Sequence, residues 1–278
     1  MSKLLVVIVG VVAWLICLGV CVWGRATVWR PRERPDYGSW RQRLAGRVGG
    51  VAGAAAGAFV AGMLAVGLGG RLLMRILAAT SPGSSQGQLT EADEIVGEVT
   101  LGGTIGLVIF VGLLAGLGGL VLFAALRRWL PKRSVWAGIV TAGIGAGLFA
   151  RPSGLLDPDN HDFTILEPTW LAVILALVLT VTFAISGAIL MDRWTPSWPT
   201  PGRSARGWLG LVALVPLLAV PPVALGLVVV LAVATIIGPK LQTSRVIASL
   251  DRVLPRVTLA GGVAGASWVG LSCAQILG

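Results

Sequence analysis

The chain has 278 residues, 55% of them hydrophobic and only 12% charged, with a mean hydropathy of +0.87. A soluble domain carries about 25% charged residues, so this composition excludes an ordinary soluble enzyme or binding module. The net charge of +10 lies between apolar runs. That placement excludes a nucleic-acid interface and fits the bias of Lys and Arg toward the cytoplasmic loops of membrane proteins.

Long apolar stretches occupy residues 4–23, 48–70, 99–126, 135–150, 169–191, 208–238 and 257–277. A hydrocarbon core roughly 30 Å thick needs about 20 apolar residues per helix. The bilayer cannot hydrate backbone amides, so continuous runs of this kind must be helices. The predicted fold is therefore all-α, a polytopic transmembrane bundle of seven or eight helices forming one integral membrane domain.

The first stretch, 4–23, reads as a retained helix. It has no A-x-A cleavage site, and Arg25 follows it directly. Cys17, Cys21 and Cys273 all lie in apolar stretches and are too few for a disulfide framework. Residues 24–47 form a basic loop with Arg25, Arg30, Arg32, Arg34, Arg41, Arg43 and Arg47 against Glu33 and Asp36. The 48–70 span carries small residues at every fourth position, Gly49, Gly53, Gly57, Ala61, Ala65 and Gly69, a face that lets a neighbour approach closely.

This helix is expected to continue through Arg71-Leu-Leu-Met-Arg75 and to end at Ser81-Pro82-Gly83. Residues 80–98 then make an acidic outer loop and the start of the next helix, with Thr90-Glu-Ala-Asp93 as a capping box. Glu94 and Glu98 lie one turn apart, as do Arg71 and Arg75, so each pair shares a helix face. The four residues form the leading candidate site, where two antiparallel helices meet near the outer boundary. They read either as an interhelical salt-bridge clamp or as a polar vestibule for an ion or charged head group.

The 99–126 span has Gly102 with Gly106 and Gly112 with Gly116. The loop after it, Arg127, Arg128, Lys132 and Arg133, contains no acid. Gly138, Ala142, Gly143, Ala146 and Gly147 line the 135–150 span. Residues 151–168 are acidic again. Within them Asp157, Asp159, His161 and Asp162 form a weak divalent-metal candidate, although Asp, Asn and Pro are also ordinary turn residues. The 169–191 span leads to a basic loop with Asp192, Arg193, Arg203 and Arg206.

At 31 residues, 208–238 is too long for one upright span, and Pro216, Pro221 and Pro222 interrupt it. Both of its flanks are basic, which favours a hairpin of helices at 208–220 and 223–238 and a total of eight spans. A single kinked helix gives seven. Residues 240–256 read as an amphipathic interfacial helix, and 257–277 as the last span, with Gly262, Ala266 and Gly270 on one face. Eight of the 12 acids, Glu91, Asp93, Glu94, Glu98, Asp157, Asp159, Asp162 and Glu167, fall in two loops that alternate with the basic ones. The alternation predicts an N-terminus outside and basic loops in the cytoplasm. The tryptophans cluster near span ends and read as an aromatic belt.

No Walker A, HExxH, GxSxG or CxxC pattern is present, and the chain has a single histidine. No catalytic residue and no cofactor is predicted. The stretch Gly70-Arg71-Leu-Leu-Met-Arg75 through Thr90-Glu-Ala-Asp-Glu-Ile-Val-Gly-Glu98-Val-Thr-Leu-Gly-Gly-Thr104, with Asp162-Phe163, resembles a group of uncharacterised polytopic membrane proteins of actinobacteria. The resemblance covers about 40 residues. It implies a multi-pass protein of a bacterial cytoplasmic membrane and transfers no activity. The function expected is binding or passage of a small solute, ion or lipid. The alternative is a non-catalytic subunit or scaffold of a membrane complex. The expected partners are membrane lipids, with other membrane subunits or further copies of the chain.

Overall fold

The computed structural model describes residues 11–12, 14–15, 19, 39–89, 95–96, 100–149, 152–199, 201, 208, 210–218, 225–226 and 245–277. These residues are helical or in turns, and no strand occurs among them. Four helices are long and apolar enough to cross a membrane: α1 (Trp40–Thr80), α2 (Leu101–Leu126), α4 (Thr169–Ser197) and α5 (Arg245–Leu277), the last by its stretch Asp251–Leu277. A shorter apolar helix, α3 (Ser134–Phe149), lies between the second and third of these. The all-helical class and the membrane-capable helices thus agree with the sequence reading. Most of the 4–23 and 223–238 spans lies outside the described residues.

Local chemistry sets the helix ends. Ser39 caps α1 by accepting from the Gln42 amide at 3.4 Å. The helix runs on through Arg75 and stops at Thr80, where Ser81 turns extended ahead of Pro82, because the residue before a proline disfavours helical backbone. Thr100 caps α2 through a bond from the Gly103 amide at 3.0 Å. That start falls later than the one expected from the capping box at Thr90, which lies outside the described residues. Val96 instead pairs with the preceding turn, its amide donating to Gln88 O at 2.9 Å, and Ile95 bridges to Leu89. The amphipathic segment expected at 240–256 is not a separate element over its described part, since residues 245–256 are continuous with the last span in α5.

The described helices cross the bundle in alternating directions. At one end the α2–α3 turn meets the end of α4 and the start of α5: Arg127 reaches Asp192, and Arg128 pairs with Asp251. At the other end Ser81 Oγ accepts from the Glu167 amide at 2.9 Å, tying the end of α1 to the loop before α4. The first is the basic end, carrying Arg41, Arg43, Arg47, Arg127, Arg128, Lys132, Arg133 and Arg193. The second carries Asp157, Asp159, Asp162 and Glu167.

Helix contacts run through glycines. Gly53 and Gly57 of α1 lie against the backbone of Trp194 and Leu190 in α4, and Gly69 lies against Leu179. A second face of α1 meets α2, where a Cβ at Gly62 would fall on the Gly112 carbonyl oxygen. In the same way Gly143 and Gly147 of α3 abut Gly262 and Gly265 of α5. Gly102, Gly106 and Gly270, by contrast, have open space beside them, so those parts of the expected stripes are not packing faces in the described structure. The main apolar core joins Ala55, Ala58 and Phe59 with Leu120, Phe123, Ala188 and Met191.

Two π-helical stretches interrupt the α pattern, Gly62–Leu68 in α1 and Leu107–Val111 in α2. They face each other, with Gly67 against Val108. Trp14 donates through Nε1 to Leu64 O at 2.8 Å. This tryptophan is therefore a donor inside the bundle and not a member of an interfacial belt. Trp129 and Trp198 also act as donors, to Asp251 Oδ1 at 3.3 Å and to Gly210 O at 3.2 Å.

Candidate functional site

A cavity of about 510 Å³ lies between α2, α3 and α4. Its walls include Leu114, Gly118 and Leu122 of α2, Thr141, Gly145 and Phe149 of α3, and Leu179, Phe183 and Met191 of α4. Leu114 and Phe149 are more than half exposed, at 61% and 54%, and Gly118 is exposed between them. The cavity is thus a groove with a flank open to the side of the bundle. Its volume falls in the range of roughly 300–1,000 Å³ common to small-molecule sites.

The lining is apolar for a specific reason. Its helical hydroxyls are spent on their own helices: Thr141 donates to Ala137 O at 2.8 Å and Thr180 to Ala176 O at 2.9 Å. Neither aims a free donor at an occupant. No charged residue lines the space.

At the basic end, the groove stops beneath a buried ion pair. Phe123 and Met191 form its last turn, and the Arg127 guanidinium stacks over the Phe123 ring at 5.3 Å. Arg127 grips both carboxylate oxygens of Asp192, Nε to Oδ1 at 2.7 Å and Nη2 to Oδ2 at 2.8 Å. Ser134 Oγ donates to Asp192 Oδ2 at 2.6 Å, and Arg127 Nη1 donates to Pro131 O at 2.9 Å. The side chains of Arg127 and Asp192 are 9% and 2% exposed. A bidentate pair with its remaining capacity satisfied is the arrangement in which buried charge is tolerated. It fastens α2, α3 and α4 together at one point.

From the sequence alone Arg127 and Asp192 read only as topology markers. A signal was available. Asp192 is the sole acid in a loop otherwise holding arginines, and it directly follows an apolar span, so at that depth it needs a partner.

None of the described site residues singled out from sequence lines the groove. Arg71 is buried, and its Nε donates to Thr104 Oγ1 at 3.1 Å and its Nη2 to Thr100 O at 3.5 Å. It therefore locks α1 to the first turn of α2. Arg75, one turn on, is exposed. Glu94 and Glu98 lie outside the described residues. Asp157 Oδ1 accepts from the Asp159 amide at 3.3 Å, and Asn160 Oδ1 accepts from the Asp162 amide at 2.7 Å. These are local bonds of Asx type that shape a turn. Among the described residues no group of three or more His, Cys, Asp or Glu side chains, those of Asp157, Asp159, His161 and Asp162 included, is placed to hold a metal ion.

No family model, no curated protein and no solved structure matches this chain.

Proposed function

We propose that this chain binds a hydrocarbon-rich molecule of the bilayer, a lipid in place of an ion or a hydrophilic solute, in the groove between α2 and α3. The observation that carries this reading is the apolar lining with its Thr141 and Thr180 hydroxyls already bonded. An ion or sugar entering such a space loses hydration and meets only Ser153 as a further polar side chain beside those two threonines, whereas an acyl chain loses nothing. The exposed flank at Leu114, Gly118 and Phe149 gives a route from the membrane without passage through water.

Gly118 provides the test. Nothing lies within 4 Å of a Cβ built there, so Gly118→Trp should fill the groove without disturbing the backbone. Photo-crosslinking with a phospholipid bearing a diazirine at its acyl terminus should label residues 111–123 and 141–149. The substitution should cut that labelling roughly tenfold, a loss equivalent to about 1.4 kcal/mol, with thermal stability retained. Equal labelling of both proteins would defeat the proposal.

The same reading places the basic end in the cytoplasm of a bacterial cell and the acidic end outside. Trp198 meets Gly210 at the basic end, and Arg128 meets Asp251 there. The chain between those contacts begins and ends on one side, which fits the hairpin count of eight spans, and equally a re-entrant pair, and not a single crossing. In a background without native cysteines, cysteines at the exposed Ser84 and at Asn160 should react with an impermeant thiol reagent on intact cells. Cysteines at Lys132 and Thr243 should not. Reaction at position 243 from outside would restore seven spans.

A further inference from the structure

We infer that the loop joining α2 to α3 holds the phosphate of an anionic lipid through Lys132 and Arg133, with that lipid's chain lying in the groove below. The inference rests on the groove reading and adds a head-group class to it.

The loop carries four cations, Arg127, Arg128, Lys132 and Arg133, and no acid. Arg127 is consumed by Asp192 and by the carbonyls of Pro131 and Lys132. Arg128 pairs with Asp251. Lys132 and Arg133 are exposed, and their side chains form no hydrogen bond or ion pair among the described residues. The loop thus matches two of its cations internally and presents the other two to the surroundings.

Position supports the same occupant. The loop connects the two helices that flank the groove, so it stands over the groove's basic end. Thr141, the first α3 residue of the lining, follows Arg133 by eight residues, or about 12 Å at 1.5 Å per residue. Head-group regions add roughly 5–8 Å to each side of the hydrocarbon core. A phosphate at the loop therefore lets the glycerol and first methylenes run down α3 before the chain enters the groove. Trp136, in the first turn of α3, is 55% exposed, at the level where an indole favours the membrane interface. Arg and Lys both bind phosphate oxygens, Arg with a planar fork and Lys as a point charge.

The test uses the full chain in nanodiscs with two diazirine-tipped probes of identical chains, phosphatidylglycerol and phosphatidylcholine. The native protein should label with the anionic probe roughly thirtyfold more strongly, from two cations each favouring an anionic surface. Lys132→Gln/Arg133→Gln should lower the anionic labelling to the zwitterionic level while both probes still map to the groove. Excess inorganic phosphate should not compete. An undiminished preference in the double variant would overturn the head-group assignment and leave the groove intact. Displacement by inorganic phosphate would overturn it in favour of a soluble anion. Absence of groove labelling by either probe would instead sink the groove reading. Lys132→Arg, which keeps the charge, should preserve the preference.

Discussion

Asp192→Asn should lower the stability of the detergent-solubilised protein by roughly 3–5 kcal/mol, the usual consequence of leaving one member of a buried ion pair without its partner. The guanidinium of Arg127 would keep two backbone carbonyls but lose both charged contacts. The effect would spread because Arg127, Ser134 and Asp192 belong to three different helical segments. Replacing the pair together, Arg127→Met with Asp192→Leu, should recover most of the loss, since apolar residues of similar volume often substitute for buried pairs at little cost. Asp251→Asn is the natural comparison. Its pair with Arg128 is 38–49% exposed, and such pairs contribute about 0–1 kcal/mol. Thermal unfolding of all four proteins checks the ranking. If Asp192→Asn and Asp251→Asn shift the midpoint equally, the buried pair is not the fastener described above.

The second large effect should come from a single methyl group. Gly62→Ala should destabilise by about 1–3 kcal/mol, the range for overpacking a close contact. Alanine is normally better than glycine inside a helix by about 0.5–1 kcal/mol, so the sign here is reversed. The reason is that the new Cβ would meet backbone at Gly112 and Gly116, and neither can rotate away as a side chain could. Gly102→Ala, with nothing within 4 Å of its Cβ, should follow the ordinary propensity and be neutral or stabilising. Equal midpoints for the two variants would mean that α1 and α2 are farther apart than described.

The helices were legible because the bilayer leaves a long apolar run few alternatives. Even the extension of α1 past Gly69 to the Ser81-Pro82 stop could be read, since arginines at 71 and 75 do not break a helix while the proline does. The groove was not legible. Its walls come from α2, α3 and α4, and residues such as Gly118, Gly145 and Phe183 look like any other membrane-helix residues until the helices are assembled. Arg127 and Asp192 were hidden for a different reason. They lie 65 positions apart, and each already had an adequate explanation in the charge pattern of its own loop. Arg71 draws attention in the sequence as a charge beside an apolar span, whereas its contacts to Thr104 and to the Thr100 carbonyl involve neutral groups, which a search for opposite charge does not find.

The π-helical stretch of α1 bears on how a repeat in sequence encodes winding. Small residues recur at intervals of four through Gly53, Gly57, Ala61, Ala65 and Gly69. In a helix of 3.6 residues per turn, each such step advances the stripe by roughly 40°. Four steps would carry it roughly 160°, nearly to the opposite face and away from any one neighbour. Yet Gly53, Gly57 and Gly69 all meet α4, at Trp194, Leu190 and Leu179, and Ala61 lies beside Gly187 of the same helix. The widened turns at Gly62–Leu68 hold more residues per revolution and so rotate the stripe back. A period of four sustained over this length is thus an instruction to underwind, and the two helices stay in phase because the backbone departs from the regular α form.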